Sequence, residues 1–312
     1  MPTIKELTNR LKNLQNTKKI TAAMKMVAAS KLRRAQEAIE RTRPYRSELT
    51  TLLSDLQTAV AGQDLPDEAA MWLEPRPVKN VAIVLFTSDK GLCGAFNNGL
   101  VRAFERVVGI RPMDAATTAR PGFVELRTRL ESGIGYTVHF AGRRGYDAFR
   151  NKIQDRGSVG EWYQDSVARP SLANARPIAD RLIQDFLDGR IDEIWVVNNQ
   201  FQSALTQLPQ AIKIFPAANQ AAGTASNKPI LFDPPPAIVL SRLIPQSIRF
   251  LILNALLENA AGEQGARMTA MDNATRNAKE MIDKYTLQKN RARQAQITTE
   301  LVEIIAGAES IR

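Results

Sequence analysis

The most constraining feature of this chain is its C-terminal run from Pro245 to Arg312. No proline follows Pro245, the interior glycines are Gly262, Gly265 and Gly307, and helix formers fill the remainder, so the run reads as one uninterrupted helix. From Met271 a seam recurs at alternating steps of three and four: Met271, Ala274, Ala278, Met281, Tyr285, Gln288, Ala292, Ala295, Thr299 and Val302. That spacing keeps one stripe of a helix against another helix. The seam residues are mostly small or polar, which allows close approach with a loose grip. The last turns differ: Leu301, Val302, Ile304, Ile305 and Ala306 are apolar nearly all round, and such a tip belongs inside something. A helix of this length is far longer than a compact domain can bury, so it requires a partner.

The other end of the chain supplies one. Residues 3 to about 61 predict a second long helix, with Thr3 as N-cap and Glu6 completing a capping box. Ile4, Leu7, Leu11 and Leu14 begin a seam that resumes at Ile20, Met24, Val27, Ala28, Leu32, Ala35 and Ile39, displaced as a stutter would displace it. Pro44 is expected to kink this helix. Its charge is one-sided, with Lys18, Lys19, Lys25, Lys31, Arg33 and Arg34 in one stretch and few acidic residues to offset them. The face is either solvated or a docking strip for an acidic partner. The formal net charge of +10 leaves nucleic acid, an anionic membrane surface and an acidic protein open as that partner. No aromatic residue precedes Tyr45, which argues against base stacking and hence against single-stranded nucleic acid.

Between the helices the pattern changes. Residues 62–79, with Pro66, Pro75 and Pro77, read as a linker, and 80–244 as an α/β domain. Asn80–Thr87 is a continuous apolar run suited to a strand buried on both faces. Strands are also expected at Tyr136–Ala141, Ile191–Val197 and Ala211–Phe215, with helices near Leu100–Val107, after Gly142 and over Ser171–Leu187. The alternation predicts a small, Rossmann-like parallel sheet with helices on its faces. Two stretches, 109–133 and 217–236, read as loop excursions, the first at the surface. The single cysteine, Cys93, excludes an internal disulfide and fits a reducing compartment. No apolar stretch reads as membrane-spanning, and the start has no apolar signal core, so the expected protein is soluble or peripherally bound.

An enzyme reading finds no constellation to support it. SDKGLCGAFNN after the first strand lacks both the P-loop and the dinucleotide fingerprint. Gly142 and Gly145, with Arg143 and Arg144, could cradle a phosphate at a helix N-terminus, although a tight strand-to-helix turn is the better explanation of GxxG. His139, the only histidine, sits mid-strand as a core or edge residue would, and Cys93 has no companion ligand for a metal. Asp89 and Lys90 beside Cys93 lack a base and an orienting group. No catalytic residue, cofactor or metal site is expected. The architecture is instead an antiparallel coiled coil of the two terminal helices with an α/β domain attached.

Three stretches make a resemblance specific. Asn16–Gln36 (NTKKITAAMKMVAASKLRRAQ) is similar, almost position for position, to the N-terminal signature of the gamma subunit of F-type ATP synthases. Ala266–Ala278 and Ala292–Ala308 resemble that family's C-terminal signature, and SDKGLCGAFN is a third match. The resemblance spans essentially the whole chain. It implies the central-stalk rotor of a proton-translocating complex, turning inside a ring of alpha and beta subunits, with the α/β domain near epsilon and the membrane-embedded c-ring. It implies partner contacts at Met24 and Lys25 on the first helix. On the last helix it implies them at Arg293, Gln294, Thr298 and Glu300, and at the apolar tip Leu301, Ile304 and Ile305. It implies a non-catalytic subunit with no nucleic-acid partner, peripheral on the cytoplasmic face of a bacterial inner membrane. Two rival readings remain: a basic coiled-coil adaptor for nucleic acid or lipid, and a small-molecule α/β enzyme using Gly142–Gly145.

Overall fold

A computed structural model describes residues 3–60, 66–73, 76–153, 156–216 and 233–309. In chain order the elements are α1 (Ile4–Val60), α2 (Asp67–Leu73), β1 (Asn80–Phe86), α3 (Phe96–Val107), α4 (Ala115–Thr118), α5 (Phe123–Glu131) and β2 (Gly135–Ala141). They continue with α6 (Arg143–Phe149), β3 (Gly157–Tyr163), α7 (Leu172–Leu187), β4 (Glu193–Phe201), β5 (Gln207–Phe215) and α8 (Pro236–Glu309). They form two compact units: residues 1–29 with 267–312, and residues 30–266. Each terminal helix contributes a segment to both.

The larger unit is built on a five-stranded sheet in the order β3-β2-β1-β4-β5. β1 pairs in parallel with β2 and β4, and β2 with β3, while β4 and β5 are antiparallel. The sheet is therefore mixed rather than all-parallel, because a short connection after Phe201 turns the chain straight back. β1 alternates between two cores, which is why its sequence is continuously apolar. Ala82, Val84 and Phe86 face one layer with Leu56 of α1, Trp72 of α2, Ile178, Leu182 and Phe186 of α7, and a stripe of α8. Val81, Ile83 and Leu85 face the other, with Leu100 and Phe104 of α3, Phe123 and Leu126 of α5 and Phe149 of α6. Ser171 caps α7, accepting a hydrogen bond from the Asn174 amide, but Leu172 is exposed instead of facing the core.

Several expectations are corrected here. β3 was not anticipated. The stretch 62–79 contains α2, whose Trp72 stacks on Phe186 with ring centroids 5.4 Å apart. The stretch 109–133 is no surface excursion: it carries α4 and α5, and Phe123 and Leu126 are fully buried. Asp114 caps α4, accepting from the Thr117 amide at 2.8 Å. The turn before α5 meets the free edge of β5, where the Ala211 amide donates to the Pro121 carbonyl at 3.0 Å. Gly122 has φ +71°, and a side chain there would collide with the Ala211 carbonyl oxygen. α8 begins at Pro236 and runs through Pro245, and α1 runs through Pro44 without a break in its helical span.

α8 is also long and apolar enough, on length and composition, to cross a membrane, where the sequence suggested no such stretch. Its Leu240, Ile244, Ile248, Ile252 and Leu256 pack into the core against the sheet and α7. The expected loop over 217–236 falls largely outside the described residues.

In the smaller unit the two helices run antiparallel, since contacts pair Arg10 with Tyr285, Thr21 with Thr275 and Lys25 with Asp272. The seam passes through Leu7, Leu11, Leu14, Lys18, Thr21 and Met24 without a stutter. Ile20 and Val27, assigned to it from hydrophobicity, are 60% and 56% exposed, whereas Thr21 is 8% exposed. On α8 the seam uses Ile282 and Lys289 in place of Met281 and Gln288.

Candidate partner-docking surface

The signature stretches near each end of the chain lie against one another. The Thr21 and Thr275 hydroxyls share a hydrogen bond of 2.7 Å in the seam, and Thr275 also donates to the Met271 carbonyl at 2.7 Å when its proton is so placed. One turn along, Lys25 Nζ donates to Asp272 Oδ1 at 2.6 Å, and this bond holds the Asp272 carboxyl below its usual range. Lys25, expected at a partner interface, thus has an internal ion pair while remaining partly exposed, and Met24 is half-buried beside it. Asp272 and Thr275 escaped the sequence reading although both lie in the matched stretch ARMTAMDNATRNA. A polar seam pair becomes legible only when both helices are aligned.

Farther along α8 the environment changes completely. Every residue from Arg293 to Ala306 is exposed. Arg293 and Gln294 point into solvent; the Thr298 hydroxyl folds back on the Gln294 carbonyl at 2.9 Å, and Glu300 accepts from Gln296 at 2.8 Å. Leu301, Val302, Ile304 and Ile305 are bare, Ile304 to 70%. Isolated exposed apolar residues are ordinary, but a cluster of them at a helix end, interrupted only by Glu303, is the mark of a surface that another molecule covers.

The features that invited an enzyme reading have structural jobs. In an open α/β sheet of this order, ligands bind beyond the strand C-termini where the connection reverses direction, here between β1 and β4. That crevice is filled. Asn259 of α8 donates to the Thr87 carbonyl at 3.0 Å, and Asn199 of β4 donates to the Phe96 carbonyl at 3.2 Å. Ser88 and Asn97 exchange two hydrogen bonds, with the Asn97 amide also reaching Cys93 Sγ at 3.2 Å, so the loop SDKGLCGAFN is a knot of internal contacts. The amides that would cradle a phosphate are taken as well: Arg143 N–H by Asp89, Arg144 N–H by the Ser88 carbonyl, and Gly145 N–H by the Thr87 hydroxyl. Gly142, at φ +112°, lets the backbone pass against Thr87. Burial raises the Asp89 carboxyl, partly opposed by the Arg143 amide.

His139 is a core histidine. β3 carries one more residue than β2 between the Val138–Val159 and Phe140–Trp162 pairs, which is a bulge. The Glu161 amide there donates to His139 Nδ1 at 3.2 Å, and burial lowers the imidazole pKa despite nearby Asp185 and Glu161. Among the described residues no group of His, Cys, Asp and Glu is placed to hold a metal ion.

Comparison with known proteins is consistent across the chain. A family model described as ATP synthase matches residues 3–311. Similar curated proteins include the ATP synthase gamma chains of Allorhizobium ampelinum, 41% identical, and Paracoccus denitrificans, 39% identical, each covering all of both chains. Among solved structures, one chain from the Euglena gracilis mitochondrial ATP synthase assembly of OSCP, F1 and c-ring matches with a TM-score of 0.59 at 18% identity. That match covers 99% of this chain and 94% of the other. A chain from the central stalk and c-ring of the Tetrahymena thermophila enzyme matches with a TM-score of 0.56 at 23% identity, over 82% and 99% of the two chains. The antiparallel terminal helices, the plugged α/β sheet and the full-length match to the curated relatives together establish that this chain belongs to the ATP synthase gamma chain family.

Proposed function

We propose that the chain is the central-stalk rotor of a bacterial, proton-translocating F-type ATP synthase. The observation that carries this reading is the exposed end of α8, Arg293–Ala306, which closes on the bare apolar residues Leu301, Val302, Ile304 and Ile305, on a chain matched over its full length to gamma chains. In this role the tip Leu301, Ile304 and Ile305 turns inside an apolar sleeve at the top of a ring of alpha and beta subunits. Arg293, Gln294, Thr298 and Glu300 meet the beta subunits by hydrogen bonding, and Met24 and Lys25 face the same ring from α1. The basic residues of α1 meet acidic loops of the beta subunits, which accounts for the net charge without nucleic acid. The sheet unit stands at the foot with epsilon and the c-ring, and the complex sits on the cytoplasmic face of the inner membrane.

The chain supplies no reacting group in this scheme. An asymmetric shaft contacts each beta subunit differently, and its rotation shifts each nucleotide site among conformations of different affinity, so ion flow is coupled to phosphoryl chemistry through population shift. The test is reconstitution with cognate alpha and beta subunits, reading ATPase turnover and single-molecule rotation of a probe on the sheet unit. A chain ending at Met271 runs beside the full chain. Probe rotation, with torque reduced by the truncation, supports the rotor. Failure to assemble, or hydrolysis and probe motion indifferent to this chain, sinks it.

A further inference from the structure

A cavity of about 570 Å³ in the sheet unit, between α1, β4 and α8, is lined by two acids and two bases, Glu40, Glu258, Arg43 and Arg46, and so selects no charge. A second cavity, of about 400 Å³, is more selective, and its volume is that of a small-ligand site. It opens where α3 and α5 end, β2 begins and Arg156 leads into β3. Its wall is largely aliphatic. Val108, Leu130 and Ile134 are half-buried, packed on one side against the core layer that holds Phe104 and Leu126, and Tyr136 completes that wall.

The ionisable lining is two bases against one acid: Arg127, Arg156 and Glu131. Arg127 is fully engaged. Its Nε donates to Glu131 Oε1 at 2.5 Å, and its Nη1 donates to the Arg106 and Val107 carbonyls at the end of α3, at 3.1 and 3.2 Å. Glu131 is thereby spent on Arg127. Arg156 is exposed and meets no acidic side chain among the described residues. Its guanidinium lies over Gly133, where a side chain would collide with it, and Gly109 leaves the same room for Arg127. Two glycines thus seat two guanidiniums beside the cavity, one neutralised and one not. A planar guanidinium fork matches a carboxylate bidentately, and a single unspent cation matches a single negative charge.

From this arrangement we propose that the cavity binds a medium-chain alkyl carboxylate, with its tail along Val108, Leu130 and Ile134 and its head on Arg156. The recognition is of head and tail together. An acid with no chain has nothing to bury against the aliphatic wall, and a chain with a cationic head meets Arg156 with like charge. A head carrying two charges would bring one that Arg156 leaves unmatched. The volume suits a single chain rather than the paired chains of a bilayer lipid. Bound there, the ligand ties the approach to β3 to the ends of α3 and α5, which meet only through the fold. The site does not depend on the rotor reading, because it requires only the sheet unit.

The test is isothermal titration calorimetry of octanoate, kept below its micellar range, into the full chain at neutral pH and near-physiological salt, about 0.15 M. Acetate supplies the head without the tail, and octyltrimethylammonium the tail with the opposite charge. The expected result is a single saturable site for octanoate and none for the other two. Arg156→Gln weakens octanoate at least tenfold, and Leu130→Ser weakens it severalfold. Arg102→Gln, at an exposed arginine of α3 outside the cavity, leaves affinity unchanged, as does Ile304→Ser at the bare end of α8. The proposal is overturned if octanoate does not bind, or if octyltrimethylammonium binds as well. It is likewise overturned if Arg156→Gln weakens binding no more than Arg102→Gln, or if Ile304→Ser removes the binding, which would move it to the helix end. Circular dichroism of each variant separates loss of binding from loss of fold, and none of these outcomes bears on whether the chain turns in a ring.

Discussion

The two units solve opposite problems with the same helices. In the sheet unit, α8 buries an apolar stripe in a core shared with α7 and the sheet. In the paired-helix unit the same helix packs small and polar residues against α1, then ends in apolar turns with nothing on them. One region buries its apolar residues within the chain; the other leaves them exposed. Hydrophobicity alone does not distinguish them, since Leu256 and Ile304 are equally apolar. The difference lies in whether the chain supplies the covering surface.

Four measurements would break or sharpen that contrast. Phe123→Ala removes a fully buried ring from the sheet unit and is expected to cost about 3–5 kcal/mol in urea unfolding. A cost near that of a surface change would mean that α5 is not part of the core. Gly122→Ala combines a left-handed backbone with a collision against the Ala211 carbonyl, and about 1–3 kcal/mol should be lost in the same assay.

The third measurement is a pH series. His139 is neutral when folded, with its pKa lowered by burial, and takes up protons more readily when unfolded. The unfolded chain therefore binds more protons below about pH 6.5, so stability falls as pH drops from there toward the folded-state pKa and is level above it. His139→Gln, which can still accept from the Glu161 amide, should flatten that slope in urea midpoints; an unchanged slope would locate the titration elsewhere. The smallest stability effect belongs to the tip. Ile304→Ser should move the unfolding free energy by less than about 0.5 kcal/mol, because the residue is already in water, while weakening assembly in the reconstituted complex. A large loss of stability there would show that the tip is covered by the chain itself.

The sequence disclosed what rests on local pattern. β1 was legible because both of its faces are buried, and α7 because an amphipathic period follows a serine cap. β3 was not: GSVGEWY lies at the sheet edge, is interrupted by Gly160 and is bulged where His139 accepts from Glu161, so neither alternation nor an apolar run marks it. α5 was hidden by the prolines around it, though Phe123, Leu126 and Leu130 already carried helical spacing. The seam was misread at Ile20 and Val27 because apolar residues were assumed to face the partner helix. Thr21 faces it, and a threonine earns that place only through Thr275, distant in sequence. The partner contacts rest on resemblance alone, and the cavity at Arg156 left no mark in the sequence, since it exists only when α3, α5 and β2 come together.

The hydrogen bond between Ala211 and Pro121 has a consequence for the order of synthesis. A sheet edge is most hazardous while nascent, when a neighbouring chain on the same message can add a strand to it. Here the segment that occupies the edge leaves the ribosome first: Pro121 and Gly122 are made before Gln207–Phe215. The outermost strand therefore emerges into a molecule that already holds its cover, and the interval in which it could template a misassembled dimer is short from the start.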